Sequence, residues 1–131
     1  MEDEYNVLLI DSHKHTGSYV EAVLKDLELP ARFVHARDYE TADYWLKTFE
    51  NHGERGIVLA DSRIHYKTAY VDTSGLMAKA IQQNNLVLVH SVDVDNLNGL
   101  DKSTPIIQKT PQSFDLIEFL LLAALPVKRA A

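Results

Sequence analysis

The sequence predicts an α/β domain in which a parallel sheet is covered by helices on both faces. Two observations support this prediction. Short apolar runs such as 56–60, which Asp61 follows directly, are typical of strands buried on both faces of a sheet. Between such runs the apolar residues recur at helical spacing, which gives the order β-α-β-α-β-α-β-(α)-β-α. This alternation, with no hairpin signal, indicates right-handed crossovers between parallel strands.

The first strand and the first helix are predicted on either side of a polar loop. The apolar run 5–10 ends at Asp11 and predicts a buried strand. Ser18 and Glu21 have the spacing of a capping box, in which the serine oxygen accepts from the first turn and the glutamate reaches back. We therefore expect a helix to begin at Ser18 and to stop before Pro30, which cannot continue it.

The middle of the chain contains two further strands and a second helix. Residues 31–36 alternate in polarity and predict an edge strand. Asp38 is expected to cap the second helix, and Gly53 is expected to end it. The strand 56–60 follows, and the long polar segment 62–74 predicts no regular element.

The last third of the chain completes the sheet. Ser74 is expected to cap a third helix, and the run 86–91 predicts a fourth strand. The segment 92–103 is weak as a helix, so the helix before the last strand is predicted to be short or missing. Residues 104–108 predict a short fifth strand, and 113–125 predict a final helix.

Composition limits the classes of function. The 131 residues predict one domain, 1–131, with a linker to a further domain starting near 126. A net charge of −6 argues against direct binding to nucleic acid or to an acidic membrane surface. The absence of cysteine excludes disulfides and thiolate chemistry and fits a cytoplasmic protein. The apolar run 116–125 is too short for a bilayer, which requires about 20 residues.

Polar residues follow four of the predicted strands, and the carboxyl ends of parallel strands meet at one edge of a sheet. Asp11, Asp61, Ser91 and Lys109 are therefore expected to converge there. Two neighbouring carboxylates are tolerable with a divalent cation such as Mg²⁺ between them, or with a lysine ammonium beside them. A carboxylate can also attack phosphorus and form an aspartyl phosphate, whose oxygens a lysine, a metal and a hydroxyl can stabilise.

These strand-end residues resemble the signature positions of the response-regulator receiver domain. The matching features are Asp11 and Asp61 after apolar runs, the pair His90-Ser91, and Lys109 in Gln-Lys-Thr-Pro. The resemblance covers nearly the whole chain. It implies a flavodoxin-like, doubly wound, five-stranded parallel sheet with strand order 2-1-3-4-5.

The resemblance also implies a role for each of these residues. Asp61 matches the phospho-accepting aspartate, and Asp11 matches one of the paired metal-binding acids. Arg63 lies where the family uses a backbone carbonyl for Mg²⁺, Ser91 matches the switch hydroxyl, and Lys109 matches the phosphate-binding lysine. The implied function is that of a two-component receiver, not an enzyme. It would take phosphoryl from a histidine kinase or a phosphotransfer protein and switch its partner or dimer contacts.

Several positions depart from the receiver pattern. Ser12 replaces the second acid, so it can ligate only through water and should weaken Mg²⁺ binding. Ile64 and His65 replace the usual Met-Pro, and Ile106 replaces the aromatic residue that rotates inward in the family. These departures support a second hypothesis, a degenerate pseudo-receiver that acts as a phosphorylation-independent dimerisation or interaction module.

A third hypothesis, of a different class, is a flavodoxin-like module that binds a metal or a small ligand. His13, His15 and His65 lie in loops near the carboxylates, and imidazoles suit Zn²⁺ or other transition metals. Asp11 and His13 also resemble the start of the cobalamin-binding signature, although Gly17 is one residue too late for it.

The final helix carries more apolar residues than one buried stripe needs. Only Asp115 and Glu118 interrupt the apolar sequence between Phe114 and Leu125. An apolar surface of this kind on a soluble domain usually marks a partner contact. We therefore expect this helix to contact a second copy of the chain or an output domain.

Overall fold

The computed structural model describes residues 5–29, 31–54, 56–92 and 103–124. These residues form seven strands and four helices, which we number in chain order. The elements are β1 (Tyr5–Ile10), α1 (Lys14–Asp26), β2 (Ala31–Ala36), α2 (Tyr39–Asn51), β3 (Gly56–Ala60), β4 (Arg63–Tyr66), β5 (Ala69–Asp72), α3 (Ser74–Gln82), β6 (Leu86–Ser91), β7 (Ile106–Gln108) and α4 (Ser113–Ala124).

Five strands form one parallel sheet in the order β2-β1-β3-β6-β7. Counted along this sheet alone, the order is 2-1-3-4-5, so the predicted flavodoxin-like, doubly wound topology is confirmed. The register pairs Ile10 of β1 with Ala36 on one side and with Ala60 on the other. β1 and β3 therefore end at the same level, and the residues that follow them emerge side by side.

The helices cover both faces of the sheet, as predicted. Alternate residues of β1 enter opposite cores because side chains of a strand point to opposite faces. Leu8 and Ile10 belong to the cluster that α2 and α3 complete, whereas Val7 and Leu9 belong to the cluster that α1 and α4 complete. Both clusters consist of apolar side chains, and the polar residues of the candidate site lie at the strand ends.

The first helix begins at Lys14, so the predicted start at Ser18 is wrong. The Asp11 carboxylate accepts the backbone N–H of His13 at 2.8 Å, which turns the chain into the helix four residues earlier. Gly17 is therefore a buried helical residue, and a Cβ there would overlap with the His35 imidazole. Close packing between α1 and β2 explains the glycine without a cobalamin ligand.

The segment 62–74, for which no element was predicted, contains a two-stranded antiparallel hairpin of β4 and β5. The expectation that the chain lacks a hairpin is therefore wrong. Its turn adopts a positive φ of 56° at Lys67, where glycine or asparagine would have given a recognisable signal. Ile64 is fully buried and anchors the hairpin on the α2 side of the sheet.

The helix caps follow the predictions in part. Asp38 caps α2 by accepting the Thr41 N–H at 2.8 Å, and Gly53 follows that helix with a φ of 64°. Thr73, not Ser74, is the N-cap residue of α3. The Ser74 N–H donates to the Asp72 carboxylate at 2.6 Å, so the end of the hairpin satisfies the first N–H of the helix.

The end of the chain is described only in part. The last sheet strand is shorter than predicted, because β7 begins at Ile106 and not at 104. The predicted short or missing helix at 92–103 falls mainly on residues 93–102, which lie outside the described residues, as do Leu125 and the linker expected from 126. Within the described part of the chain, every helix is too short or too polar to cross a membrane.

Candidate functional site

A lysine ammonium bridges two carboxylates at the carboxyl ends of the strands. Lys109 Nζ donates to Asp11 Oδ2 and to Asp61 Oδ2, both at 2.7 Å. Asp11 follows β1, Asp61 follows β3, and Lys109 follows β7. The backbone N–H of Lys109 donates to the Ser91 carbonyl at 2.8 Å. Three separate strand ends therefore position the three charged groups.

The site is largely shielded from water. The side chains of Asp11, Asp61 and Lys109 are exposed by only 1%, 12% and 13%. Burial disfavours the charged ammonium, but hydrogen bonds and attraction from the two carboxylates outweigh it and raise the pKa of Lys109 above its usual value. Lys109 is therefore a permanent cation in this site.

A chain of hydroxyl groups supports the second oxygen of Asp61. Ser91 Oγ donates to Asp61 Oδ1 at 2.9 Å, and the hydroxyl of Ser62 lies 2.7 Å from Ser91 Oγ. Since the Ser91 proton is directed to the carboxylate, Ser62 donates to Ser91. The Thr73 hydroxyl also donates to the Asp61 carbonyl at 2.5 Å. Side chain and backbone of Asp61 are thus both held.

Two histidines, His13 and His35, contact Asp11. Its Oδ1 accepts from the His13 backbone at 2.8 Å and lies 3.0 Å from His13 Nδ1. Its carbonyl accepts from His35 Nε2 at 2.7 Å. Of the three loop histidines singled out in the sequence, His13 is the one beside the carboxylates; His15 is exposed on α1, and His65 packs against a tyrosine ring of the hairpin.

The two remaining predicted site residues have other contacts. The Ser12 hydroxyl accepts the backbone N–H of His65 at 3.1 Å, which ties the loop after β1 to the hairpin. Arg63 is the exposed first residue of β4, two positions after Asp61. The structure therefore brings together Asp11, Asp61, Ser91 and Lys109, and it places Ser12 and Arg63 at the margin of this group.

Sequence reasoning missed two groups at the site, Ser62 and Thr73. Ser62 was detectable, because it directly follows Asp61 and the neighbouring strand β6 ends at Ser91. Thr73 carried no signal, since it reaches the Asp61 carbonyl only through the hairpin that was not predicted. The side chain of His13 was considered as a metal ligand, but its contact with Asp11 depends on the short loop before α1.

A buried histidine lies under the site. His90 is 1% exposed, and its Nε2 lies 2.8 Å from the Ser113 hydroxyl at the start of α4. The Ser113 proton goes to the Thr110 carbonyl, so His90 Nε2–H is the donor. Burial and the charge of Lys109 lower the pKa of His90 to about 4. The imidazole is therefore neutral at physiological pH.

The donor atoms present fit a divalent cation. One ligand atom each from Asp11, His13 and Asp61 lie within 4.8 Å of one another. Carboxylate oxygens suit Mg²⁺ and Mn²⁺, and an imidazole nitrogen adds affinity for transition metals. The cation would share the carboxylates with Lys109, which contacts the Oδ2 atom of each.

The fold places the protein in the class of doubly wound α/β domains, with its charged residues gathered at the carboxyl ends of the parallel strands. No family model matches the sequence. No curated protein matches it either.

Solved structures nevertheless share the fold. The Mn²⁺-bound form of response regulator Rcp1 superposes with a TM-score of 0.74 at 16% identity, covering 97% of this chain and 99% of that one. The phosphorylated cyanobacterial phytochrome response regulator RcpA gives a TM-score of 0.74 at 18% identity, covering 95% and 99%. The receiver domain of a sensor histidine kinase from Pseudomonas aeruginosa, with magnesium coordinated in its active-site cleft, gives 0.64 at 17% identity, covering 92% and 97%. The chain thus has the fold of response-regulator receiver domains, with a divergent sequence.

Proposed function

We propose that this protein is a two-component receiver that accepts a phosphoryl group on Asp61. One observation carries the proposal: Lys109 Nζ lies 2.7 Å from carboxylate oxygens of both Asp61 and Asp11. A nucleophilic carboxylate at a strand end, with a fixed cation beside it, is arranged to stabilise the charge on a transferred phosphoryl group. A strand-end aspartate that only closed a loop would not need this lysine.

In the proposed reaction an oxygen of Asp61 attacks the phosphorus of a phosphohistidine on a histidine kinase or phosphotransfer protein. The new O–P bond forms as the N–P bond breaks, and the leaving imidazole takes up a proton from solvent. Lys109 and Ser91 both contact the Asp61 carboxylate, so their donors are within reach of the new phosphoryl oxygens. The protein then acts as a cytoplasmic regulatory module and not as an enzyme with its own substrate.

Asp11 and Asp61, together with the backbone carbonyl of Arg63, would hold the Mg²⁺ ion. The ion supplies positive charge that balances the two carboxylates and the incoming phosphoryl group. Ser12 adds no charge and its hydroxyl already accepts from His65, so the affinity for Mg²⁺ should be lower than with a second acid at this position.

Acetyl phosphate with Mg²⁺ tests the proposal directly. Intact-protein mass spectrometry should show the gain of one phosphoryl group on the wild type and none on Asp61→Asn. Asp26→Asn is a matched control, because Asp26 is an exposed aspartate at the end of α1. Beryllofluoride with Mg²⁺ should shift NMR signals near the site in the wild type and in Asp26→Asn, but not in Asp61→Asn. An unmodified wild type, or a modified Asp61→Asn, would reject the proposal.

The surface of α4 and β7 is the proposed contact with a second copy of the chain or an output domain. Leu116, Phe119 and Leu122 of α4 are exposed by 46%, 64% and 38%, and Ile106 of β7 is exposed by 47%. These side chains offer an apolar surface that a partner would cover.

The same surface supports a second candidate function, the phosphorylation-independent interaction module. Ile106, which replaces the family's mobile aromatic, lies exposed at the start of β7 and not beneath the site. Light scattering with and without beryllofluoride separates the two functions, because a receiver changes its association when the site is occupied. A dimer of constant strength that Phe119→Glu disrupts would favour the second function. Tyr44→Glu, which changes an exposed aromatic of α2, serves as the control.

A further inference from the structure

An imidazole nitrogen lies beside the two carboxylates of the site. The ligand atoms of Asp11, His13 and Asp61 lie within 4.8 Å of one another, although His13 is not one of the strand-end acids. We infer that the cation site prefers nitrogen-binding divalent metals such as Zn²⁺ over Mg²⁺, with His13 as its third side-chain ligand. The inference rests on the proposed function only in using Asp11 and Asp61 as cation ligands.

The described ligand group offers a cation two carboxylate oxygens and one nitrogen. Mg²⁺ demands near-octahedral oxygen coordination, and the two carboxylates are the only acidic side chains in the described group of ligands. The Ser12 hydroxyl is neutral and already accepts from the His65 N–H at 3.1 Å. Besides the two carboxylates and the backbone carbonyl of Arg63, the side-chain donor that the group offers to a cation is therefore the nitrogen of His13.

The His13 ring is already turned towards the carboxylates. Its backbone N–H and its Nδ1 both approach Asp11 Oδ1, at 2.8 Å and 3.0 Å. Without metal, Nδ1 carries the proton and donates it to the carboxylate. When a metal binds Nδ1, the proton moves to Nε2 through solvent, which reaches the ring because the His13 side chain is 64% exposed.

Lys109 leaves room for such an ion. It contacts Asp11 through Oδ2, whereas His13 contacts the same carboxylate through Oδ1. A metal on the Oδ1 side can therefore bind without displacing the ammonium. The present spread of 4.8 Å must contract to roughly 3.3 Å for a tetrahedral ion with ligand distances near 2.1 Å. The His13 side chain is 64% exposed, so its ring is free to adjust to such an ion.

Isothermal titration calorimetry with Zn²⁺ and with Mg²⁺, in the absence of any phosphoryl donor, tests the inference. We expect the wild type to bind Zn²⁺ at least about 10-fold more tightly than Mg²⁺. His13→Ala should weaken Zn²⁺ binding by at least about 10-fold, with a much smaller effect on Mg²⁺. His15→Ala is the matched control, since His15 is an exposed histidine in the first turn of the helix that follows His13, and it lies outside the ligand group. Circular dichroism verifies that each variant is folded.

Two results would overturn the inference: equal affinity of the wild type for the two metals, or an unchanged ratio of affinities in His13→Ala. The proposed function is tested separately by acetyl phosphate with Mg²⁺ on the wild type. Phosphorylation of Asp61 without a preference for Zn²⁺ would retain the proposed function and reject the role of His13. A preference for Zn²⁺ that depends on His13, without phosphorylation, would do the reverse.

Discussion

Replacement of Lys109 by methionine should lower the free energy of unfolding by about 3–5 kcal/mol, because it leaves buried carboxylates without their cation. Lys109 Nζ lies 2.7 Å from both Asp11 and Asp61, whose side chains are exposed by 1% and 12%. Water therefore cannot replace the lost donor. Methionine retains the length of the aliphatic stem, so the change isolates the charge.

The magnitude follows from the two contacts. A hydrogen bond to a charged group contributes about 1.5–3 kcal/mol, so two of them give about 3–6 kcal/mol, in agreement with the cost of breaking a buried pair. This is a large part of a domain stability of about 5–15 kcal/mol. The double variant Asp61→Asn/Lys109→Met buries one unpaired carboxylate, whereas Lys109→Met buries two. It should therefore be more stable than Lys109→Met by about 0.5–3 kcal/mol.

Urea denaturation is the suitable assay, because urea is uncharged and does not screen ion pairs as a guanidinium salt does. Fluorescence of Trp45, which packs against Phe49 on α2, and circular dichroism report the transition. Lys47→Met is the control, since it removes an exposed ion pair with Asp43 and should change little. A loss of less than about 1 kcal/mol for Lys109→Met, or a double variant less stable than the single, would refute this reasoning.

Three further changes test other parts of the fold. The pKa of His90 is about 4 in the folded protein and about 6.5 for an ordinary exposed histidine, so its contribution to stability is complete above about pH 6.5. That contribution should fall by about 3 kcal/mol as the pH drops towards 4. Urea titrations of His90→Gln should therefore show a free energy of unfolding that depends less on pH than that of the wild type. Gly17→Ala should cost about 1–3 kcal/mol because its methyl group meets His35, and the double variant Gly17→Ala/His35→Ala should cost less than the sum of the two changes. Asp38→Ala should cost about 0.5–2 kcal/mol in thermal or urea unfolding, because Thr41 N–H loses its cap; Asp38→Asn, which keeps an acceptor, should cost less.

The strands β1, β3 and β6 could be predicted because a strand buried on both faces leaves a continuous apolar run, whereas the edge strand β2 was predicted from its alternating polarity. The convergence of Asp11, Asp61 and Lys109 followed from the same property, since parallel strands present their carboxyl ends together. Local patterns were weaker guides where tertiary contacts compete with them. Ser18 and Glu21 have capping-box spacing, yet the Asp11 carboxylate starts the helix earlier.

The hairpin and its contacts could not be predicted from local sequence. Lys67 adopts a positive φ without the glycine or asparagine that usually marks such a turn. Ile64 stabilises the hairpin through burial against residues of distant strands and helices, and no pattern within the segment reveals those contacts. The hydrogen bonds of Ser12 and Thr73 across this region depend on it in turn.

The hairpin returns the chain to the point where it left the sheet. The Thr73 N–H donates to the Ser62 carbonyl at 3.0 Å, and its hydroxyl donates to the Asp61 carbonyl at 2.5 Å. These hydrogen bonds join the two ends of the segment 62–73 independently of the residues at its turn. A longer turn should cost little, because each doubling of a loop adds only about 0.6 kcal/mol of closure entropy. The turn at Lys67 is therefore a natural insertion point. A fluorescent peptide placed there would report on the segment that follows Asp61 without entering the five-stranded sheet.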